Sequence, residues 1–165
     1  MAKIYILGAV GSGKTTFAKS LSKELCIPYY ELDNVVWEYH PGGDIKRSPE
    51  EVERLFLEIL NNGNWIIENV GRSFFDKGFE EADTIIYLNI SKSVLYKRVL
   101  LRWLKQNLGI EKAPYKTDIK MLLQMFKWVD KELDNSKLNK LHPYEEKLEI
   151  LNHKQVKKYK YKGKA

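Results

Sequence analysis

Short apolar, β-favouring runs alternate with stretches of helical periodicity along this chain. Lys3-Ile4-Tyr5-Ile6-Leu7 is the first run and ends directly at Gly8. From Thr16 to Leu25, Phe17, Ala18, Leu21 and Leu25 share one helical face. Pro28-Tyr29-Tyr30-Glu31-Leu32-Asp33 reads as a second short strand ending at Asp33, and residues 40–47, with Pro41-Gly42-Gly43-Asp44, read as loop. Ser48-Pro49-Glu50-Glu51 then combines an N-cap serine, a proline at the first helical position and a glutamate at N3, the signature of a capping box. Val52, Leu55, Phe56, Ile59 and Leu60 form the stripe of that helix, and Gly63 supplies its stop. Asn64 to Val70 is a third strand, and a short helix is expected over Phe75–Ala82. Thr84-Ile85-Ile86-Tyr87-Leu88 is a near-continuous apolar strand of the kind covered on both faces. A long helix from Ser93 to Leu108 stops at Gly109, and a second runs from Thr117 to Leu133 with Ile119, Leu122, Leu123, Phe126 and Val129. Leu148-Glu149-Ile150-Leu151 is a fifth strand, followed by a last short helix. Strands alternating with helices imply right-handed crossovers and a three-layer α/β fold around a parallel sheet. No repeat or linker divides the chain, so residues 1–165 read as one domain.

Composition narrows the class. A chain of 165 residues buries one sizeable core. No apolar h-region follows Met-Ala-Lys, and no uninterrupted apolar run reaches membrane-spanning length. The single cysteine, Cys26, has no internal disulfide partner and sits in the apolar stretch Leu25-Cys26-Ile27, which suggests a buried small hydrophobe. The expectation is a cytoplasmic protein with no membrane partner. The net charge of +6 is located in the tail: Lys154, Lys157, Lys158, Lys160, Lys162 and Lys164 leave residues 1–153 at zero. Within the domain, residues 24–90 carry five Lys/Arg against fourteen Asp/Glu, whereas residues 91–131 carry ten against three. A basic segment facing an acidic one suits a cleft that clamps phosphates from one side, although ordinary solvated helix surface is the better reading for most of the individual lysines.

The candidate chemistry begins where the first strand ends. Gly8-Ala9-Val10-Gly11-Ser12-Gly13-Lys14-Thr15 satisfies the phosphate-loop pattern G-x-x-x-x-G-K-[ST], and Thr16 continues into the helix. Its glycines permit backbone angles and close approaches that a Cβ would block. The loop N–H groups then converge on phosphate oxygens at a helix N-terminus. Lys14 would reach the β- and γ-phosphates of ATP, and the Thr15 hydroxyl would bind Mg²⁺.

In a parallel α/β sheet, ligands bind beyond the carboxyl ends of the strands. Asp33 and Glu68, closing the second and third strands, are thus candidates to accept a proton from an attacking hydroxyl and to hold Mg²⁺ or its water. An Asx-turn at Asp33 and a structural ion pair at Glu68 are the plainer readings. Arg98, Arg102 and Lys105 recur on one face of the long helix, where guanidinium groups would stabilise charge developing on a transferring phosphoryl group. The segment of residues 105–117, broken by Gly109 and Pro114, reads as a lid or as a simple helix–helix loop. Trp37, Tyr39 and His40 either line an acceptor pocket or cap the sheet edge. His40, His142 and His153 lack metal-ligand spacing, and there is no CxxC pair or G-x-S-x-G elbow.

These motifs together resemble the adenylate-kinase-like P-loop family and, more narrowly, the FlaR-type proteins often labelled topology modulation proteins. The resemblance spans nearly the whole chain and is most specific at Gly8–Thr16 and at Tyr29-Tyr30-Glu31-Leu32-Asp33-Asn34-Val35-Val36-Trp37. It implies a five-stranded parallel sheet of order 2-3-1-4-5, ATP and Mg²⁺ held by residues 8–16, Arg98 and Arg102 as lid arginines, and adenine bordered by Asn152-His153-Lys154. Where adenylate kinases carry Asp-Gly-x-Pro-Arg, this chain has Glu68-Asn69-Val70-Gly71-Arg72, which keeps the arginine.

Two function classes follow. In the first, ATP-Mg²⁺ donates its γ-phosphoryl to a small-molecule or nucleotide acceptor positioned by Asp33, Trp37, Glu68 and Arg72, with Lys14, Asp33, Arg98 and Arg102 catalytic. In the second, the chain is a nucleotide-dependent regulatory protein associated with DNA or another partner, with slow hydrolysis. The absence of net charge outside the tail argues against broad nucleic-acid backbone binding. Oligomeric state is not legible from the sequence.

Overall fold

The computed structural model describes residues 2–40, 43–111, 113, 117–133 and 136–163. Strand β1 (Lys3–Gly8) leads through the glycine-rich loop into helix α1 (Lys14–Leu25), followed by β2 (Tyr29–Glu31) and the short α2 (Leu32–Val36). A small hairpin, β3 (Trp37–Glu38) with β4 (Ile45–Lys46), precedes α3 (Pro49–Leu60), β5 (Trp65–Asn69), α4 (Lys77–Glu81) and β6 (Thr84–Leu88). The last third holds α5 (Lys92–Asn107), α6 (Ile119–Glu132), α7 (Ser136–Leu141), β7 (Leu148–Leu151) and α8 (His153–Val156). Five strands form one sheet of order β2-β5-β1-β6-β7, parallel throughout. This is the expected three-layer α/β architecture and strand order.

Alternation along the strands divides the core. Tyr5, Ile67 and Ile85 face one layer, where Val52, Phe56 and Ile59 of α3 pack, while Ile4, Ile6, Ile66 and Ile86 face the layer formed by α1, α5 and α6. The helix boundaries follow local chemistry. Ser48 caps α3 by accepting from the Glu51 N–H at 3.2 Å, with Pro49 in the first turn. Asp118 caps α6 by accepting from the Met121 N–H at 2.8 Å, so that helix begins just after Thr117. Past α5, Gly109 takes a φ of +70° and stops the helix where expected.

Three expectations are corrected. The second strand stops at Glu31, and Asp33 lies in the first turn of α2, because Leu32, Val35 and Val36 turn helically to bury themselves in the core. Cys26 is exposed, not buried: it is the left-handed C-cap of α1 (φ +56°), a turn that carries its side chain to the surface. The loop of residues 40–47 ends in β4, which pairs antiparallel with β3, while Pro41 and Gly42 lie outside the described residues. The lysine-rich tail is anchored by its tyrosines: the Tyr159 ring meets Phe17 of α1 edge-on at 5.4 Å, and Tyr161 joins the same core layer.

Close packing around the central strand yields a stability prediction. A Cβ at Gly78 in α4 would sit 2.9 Å from Tyr5 Cδ2 and 3.2 Å from Phe56 Cζ, and closer still to Tyr5 Cε2. Tyr5 is fully buried, and its ring has nowhere to retreat. Gly78→Ala is expected to lower stability by about 1–3 kcal/mol in urea unfolding. An unchanged midpoint would contradict that packing.

Candidate active site

The site is assembled at the carboxyl ends of β1, β2 and β5, the three adjacent strands on one side of the sheet. β1 delivers the phosphate loop. Gly13 is the N-cap of α1 at φ +92°, a conformation that strains any residue with a side chain. The following Lys14 is only 7% exposed, and its Nζ curls back over the loop to donate to the Ala9 carbonyl at 3.2 Å. Its neighbour Thr15 turns the other way and donates from Oγ1 to Glu68 Oε1 at 3.2 Å.

Glu68 is the most informative carboxylate. It belongs to β5, is 6% exposed, and keeps its second oxygen, Oε2, buried without a hydrogen-bond partner among the described residues. Its pKa is raised above the usual carboxylate value, first by desolvation and then by the nearby charges of Glu31 and Asp33; Lys14 and the Thr15 hydroxyl pull the other way. Glu31 is its register partner on β2, so the two carboxylates leave neighbouring strands on one face. A buried, half-satisfied carboxylate beside a loop threonine is a hard oxygen donor set suited to a divalent cation. Thr15 and Glu68 are the residues here with the chemistry to hold one.

Asp33 stands at the start of α2 with its side chain 43% exposed, and its Oδ1 receives the Arg72 guanidinium. Sequence reasoning singled out both residues, and the structure brings them into contact. It did not identify what holds them. Asn69, buried at the end of β5, accepts from the Arg72 N–H at 3.4 Å and donates to the Tyr5 hydroxyl at 2.9 Å, which in turn donates to the Phe75 carbonyl at 3.3 Å. This chain of bonds fixes the turn of residues 70–72, where Gly71 takes φ +99°. Arg47 grips the end of α2, donating from Nη1 to the carbonyls of Asn34, Trp37 and Val35 at 2.7, 3.1 and 3.3 Å. The Asn-x-Gly spacing at residues 69–71 was a readable turn signal; nothing in the sequence marked Arg47. Trp37 packs half-buried against the core, and Tyr39 is exposed beyond it.

The two helix arginines occupy different places. Arg98 donates from Nη1 to the Ser12 carbonyl at 2.7 Å and the Gly11 carbonyl at 3.3 Å, bracing the loop from α5. Arg102, one turn on and half-exposed, pairs with Glu111 at 3.5 Å, in the segment read as a lid. Lys112 and residues 114–116 of that segment lie outside the described residues. Asn152 caps α8 through the Lys154 and Gln155 N–H groups at 2.9 and 3.1 Å, with the Gln155 side chain accepting from the Asn152 N–H at 2.8 Å. Among the described residues no helix is long and apolar enough to cross a membrane.

Comparison with known proteins agrees with this fold. A shikimate kinase of Bacteroides fragilis is 30% identical over 111 residues, covering 60% of this chain and 62% of that protein, so the chain spans less than two thirds of that relative's length. The crystal structure of shikimate kinase from Bacteroides thetaiotaomicron superposes with a TM-score of 0.58 at 18% identity, over 95% of this chain and 93% of that one. A gluconokinase from Sinorhizobium meliloti gives 0.53 at 16% identity, over 92% and 82%. At such identities the superpositions establish the shared fold. Residues 4–112, from β1 to just past α5, match the AAA domain, and the chain belongs to that P-loop family.

Proposed function

We propose that the protein is an ATP- and Mg²⁺-dependent phosphotransferase that moves the γ-phosphoryl of ATP to the hydroxyl of a small-molecule acceptor. The observation carrying this reading is the junction between two half-sites. The phosphate loop, with Lys14 and Thr15, meets the buried Glu68, and Glu68 in turn feels Asp33, the solvent-open carboxylate beyond it. A site for nucleotide binding alone has no need of the second half.

In this reading Asp33 accepts the proton of the acceptor hydroxyl. The oxygen forms a bond to the γ-phosphorus as the bond to the β,γ-bridging oxygen breaks, and ADP leaves. Arg72 orients Asp33. Lys14 and the loop N–H groups hold the phosphates, Arg98 keeps the loop carbonyls in place, and Arg102 stabilises charge developing on the transferring phosphoryl group. The names of the kinase relatives support a phosphoryl donor site joined to a small acceptor. The narrower FlaR-type assignment rests on the motifs at residues 8–16 and 29–37. The test is ADP release from Mg-ATP measured across a panel of hydroxyl compounds. Stimulation by one of them supports the proposal; acceptor-independent turnover throughout contradicts it.

Glu68 supplies a separate prediction. A carboxyl whose folded-state pKa is raised contributes most to stability below its unfolded value, and that contribution is lost as pH rises through the folded value. Glu68→Gln keeps the shape and the Thr15 contact but removes this titration. The wild type is expected to lose thermal stability across that window relative to the variant, whose Mg-ATP-dependent turnover falls. Parallel midpoint-against-pH curves would contradict the burial argument.

A further inference from the structure

We infer that the C-terminal segment carries a second ligand site, apart from the phosphate loop, for a small molecule bearing two or more phosphate groups. This site goes beyond the phosphotransferase reading and stands or falls independently of it.

The tail is a cation array on a fixed base. From Lys157 to Lys162 the sequence runs Lys-Lys-Tyr-Lys-Tyr-Lys, and burial follows the alternation. Lys158, Lys160 and Lys162 are exposed, whereas Tyr159 and Tyr161 are half-buried. The tyrosines spend their rings on the core: Tyr159 meets Phe17 of α1 edge-on, and Tyr161 and Val156 pack on the same layer. Upstream, the capping box between Asn152 and Gln155 fixes the entry into α8. A segment tied down at these points presents its lysines without the ordering cost that a free basic tail meets on binding.

The lysines surround a groove of about 610 Å³ beside β7, whose lining includes Lys154, Lys158, Lys160 and Lys162 with Glu149 and Tyr159. That lining comes from β7, α8 and the tail, not from residues 8–16. The volume lies in the small-molecule range, on the order of 300–1,000 Å³. Four ammonium groups stand against one carboxylate there, an excess of three positive charges among the described lining residues. The phenol of Tyr159 adds no charge against an anion, because burial and then the Glu149 carboxylate hold its pKa up.

The residue type selects the anion. A lysine ammonium is a compact point charge with three rotatable donors, suited to the tetrahedral oxygens of a phosphate. Planar carboxylates are matched best by the fork of an arginine, and the described lining is built on lysine. An excess of three charges is balanced by two or more phosphate groups on one ligand. Single-stranded nucleic acid is favoured less, since bases stack on exposed aromatic rings and these two face inward.

The test is calorimetry on the full chain at about 150 mM salt, where diffuse attraction between exposed charges is screened. Mg-ADP is kept in excess throughout to fill the phosphate loop. Fructose 1,6-bisphosphate and inositol hexakisphosphate are the probes, and citrate is the carboxylate control. Saturable one-to-one binding of a phosphorylated probe is expected, roughly tenfold or more tighter than citrate. The double variant Lys158→Gln/Lys160→Gln, with its fold checked by circular dichroism, is expected to weaken that binding about tenfold or more. Glu149→Gln removes the opposing charge and is expected to tighten it by about two- to fivefold. Failure of both phosphorylated probes to bind overturns the inference, as does citrate binding equally well or affinity that is indifferent to all of these substitutions. Binding confined to an oligonucleotide or to vesicles of anionic lipid also overturns it, and would make the tail a macromolecular docking surface.

Discussion

Asp33→Asn is expected to lower acceptor-stimulated turnover by about 10²–10⁴-fold while leaving Mg-ATP affinity within about twofold of wild type. The asparagine keeps the volume and can still accept from Arg72 through its carbonyl oxygen, so α2 and the turn at residues 70–72 stay in place. What is lost is the capacity to take up the acceptor proton. Among the described residues the ion pair of Asp33 is with Arg72 and not with the phosphate loop, which isolates its effect from nucleotide binding. Steady-state kinetics paired with calorimetry separate the two quantities. Full turnover in the variant would move the base elsewhere. An equal fall in ATP affinity would place Asp33 at the donor site.

The second large effect belongs to Lys14. Its ammonium is buried, donates to the Ala9 carbonyl, and acts on Glu68 to keep that carboxyl from rising further. Lys14→Ala removes a charge-assisted contact to phosphate worth about 2 kcal/mol or more, which is roughly thirtyfold in Kd. Turnover should fall further still, because charge grows on the phosphoryl oxygens during transfer. Loss of its opposing charge leaves Glu68 protonated to higher pH, so the variant should also bind divalent cation more weakly at neutral pH than at alkaline pH. Calorimetry of Mg-ATP, with circular dichroism to establish folding, measures the first effect directly. Unchanged affinity would mean that the loop does not cradle the triphosphate.

The fold was legible because its signals are local and repeated. Alternating apolar runs and helical stripes gave all five sheet strands, and the glycine loop marked where the first of them meets its helix. The order of the strands came from resemblance and not from periodicity, since no local pattern states which strand lies beside which. The failures share a cause. Asp33 reads as a strand end because the run Pro28-Tyr29-Tyr30-Glu31-Leu32-Asp33 carries no local break before it. The chain turns into α2 instead, since Leu32, Val35 and Val36 gain more by burial in the core than an extended edge strand offers. Cys26 was read as buried from its apolar neighbours, yet a left-handed cap points outward whatever flanks it. The site showed the same division. Lys14 and Thr15 stand in the glycine-loop motif and Arg72 at the spacing the family resemblance implies, whereas Asp33 is singled out as the end of a strand. Asn69 and Tyr5 brace the turn that carries Arg72, and Arg47 braces α2, which carries Asp33, through contacts across 64, 70 and 13 positions of sequence that no local pattern encodes.

The most direct measurement of the central claim follows the phosphoryl group itself. With γ-labelled Mg-ATP and the acceptor that stimulates ADP release, the label is expected in an organic phosphate ester, formed in step with ADP and abolished by Lys14→Ala. Label found only as inorganic phosphate, at a rate indifferent to the acceptor and to Asp33→Asn, would contradict phosphotransfer and leave a nucleotide-binding protein with slow hydrolysis.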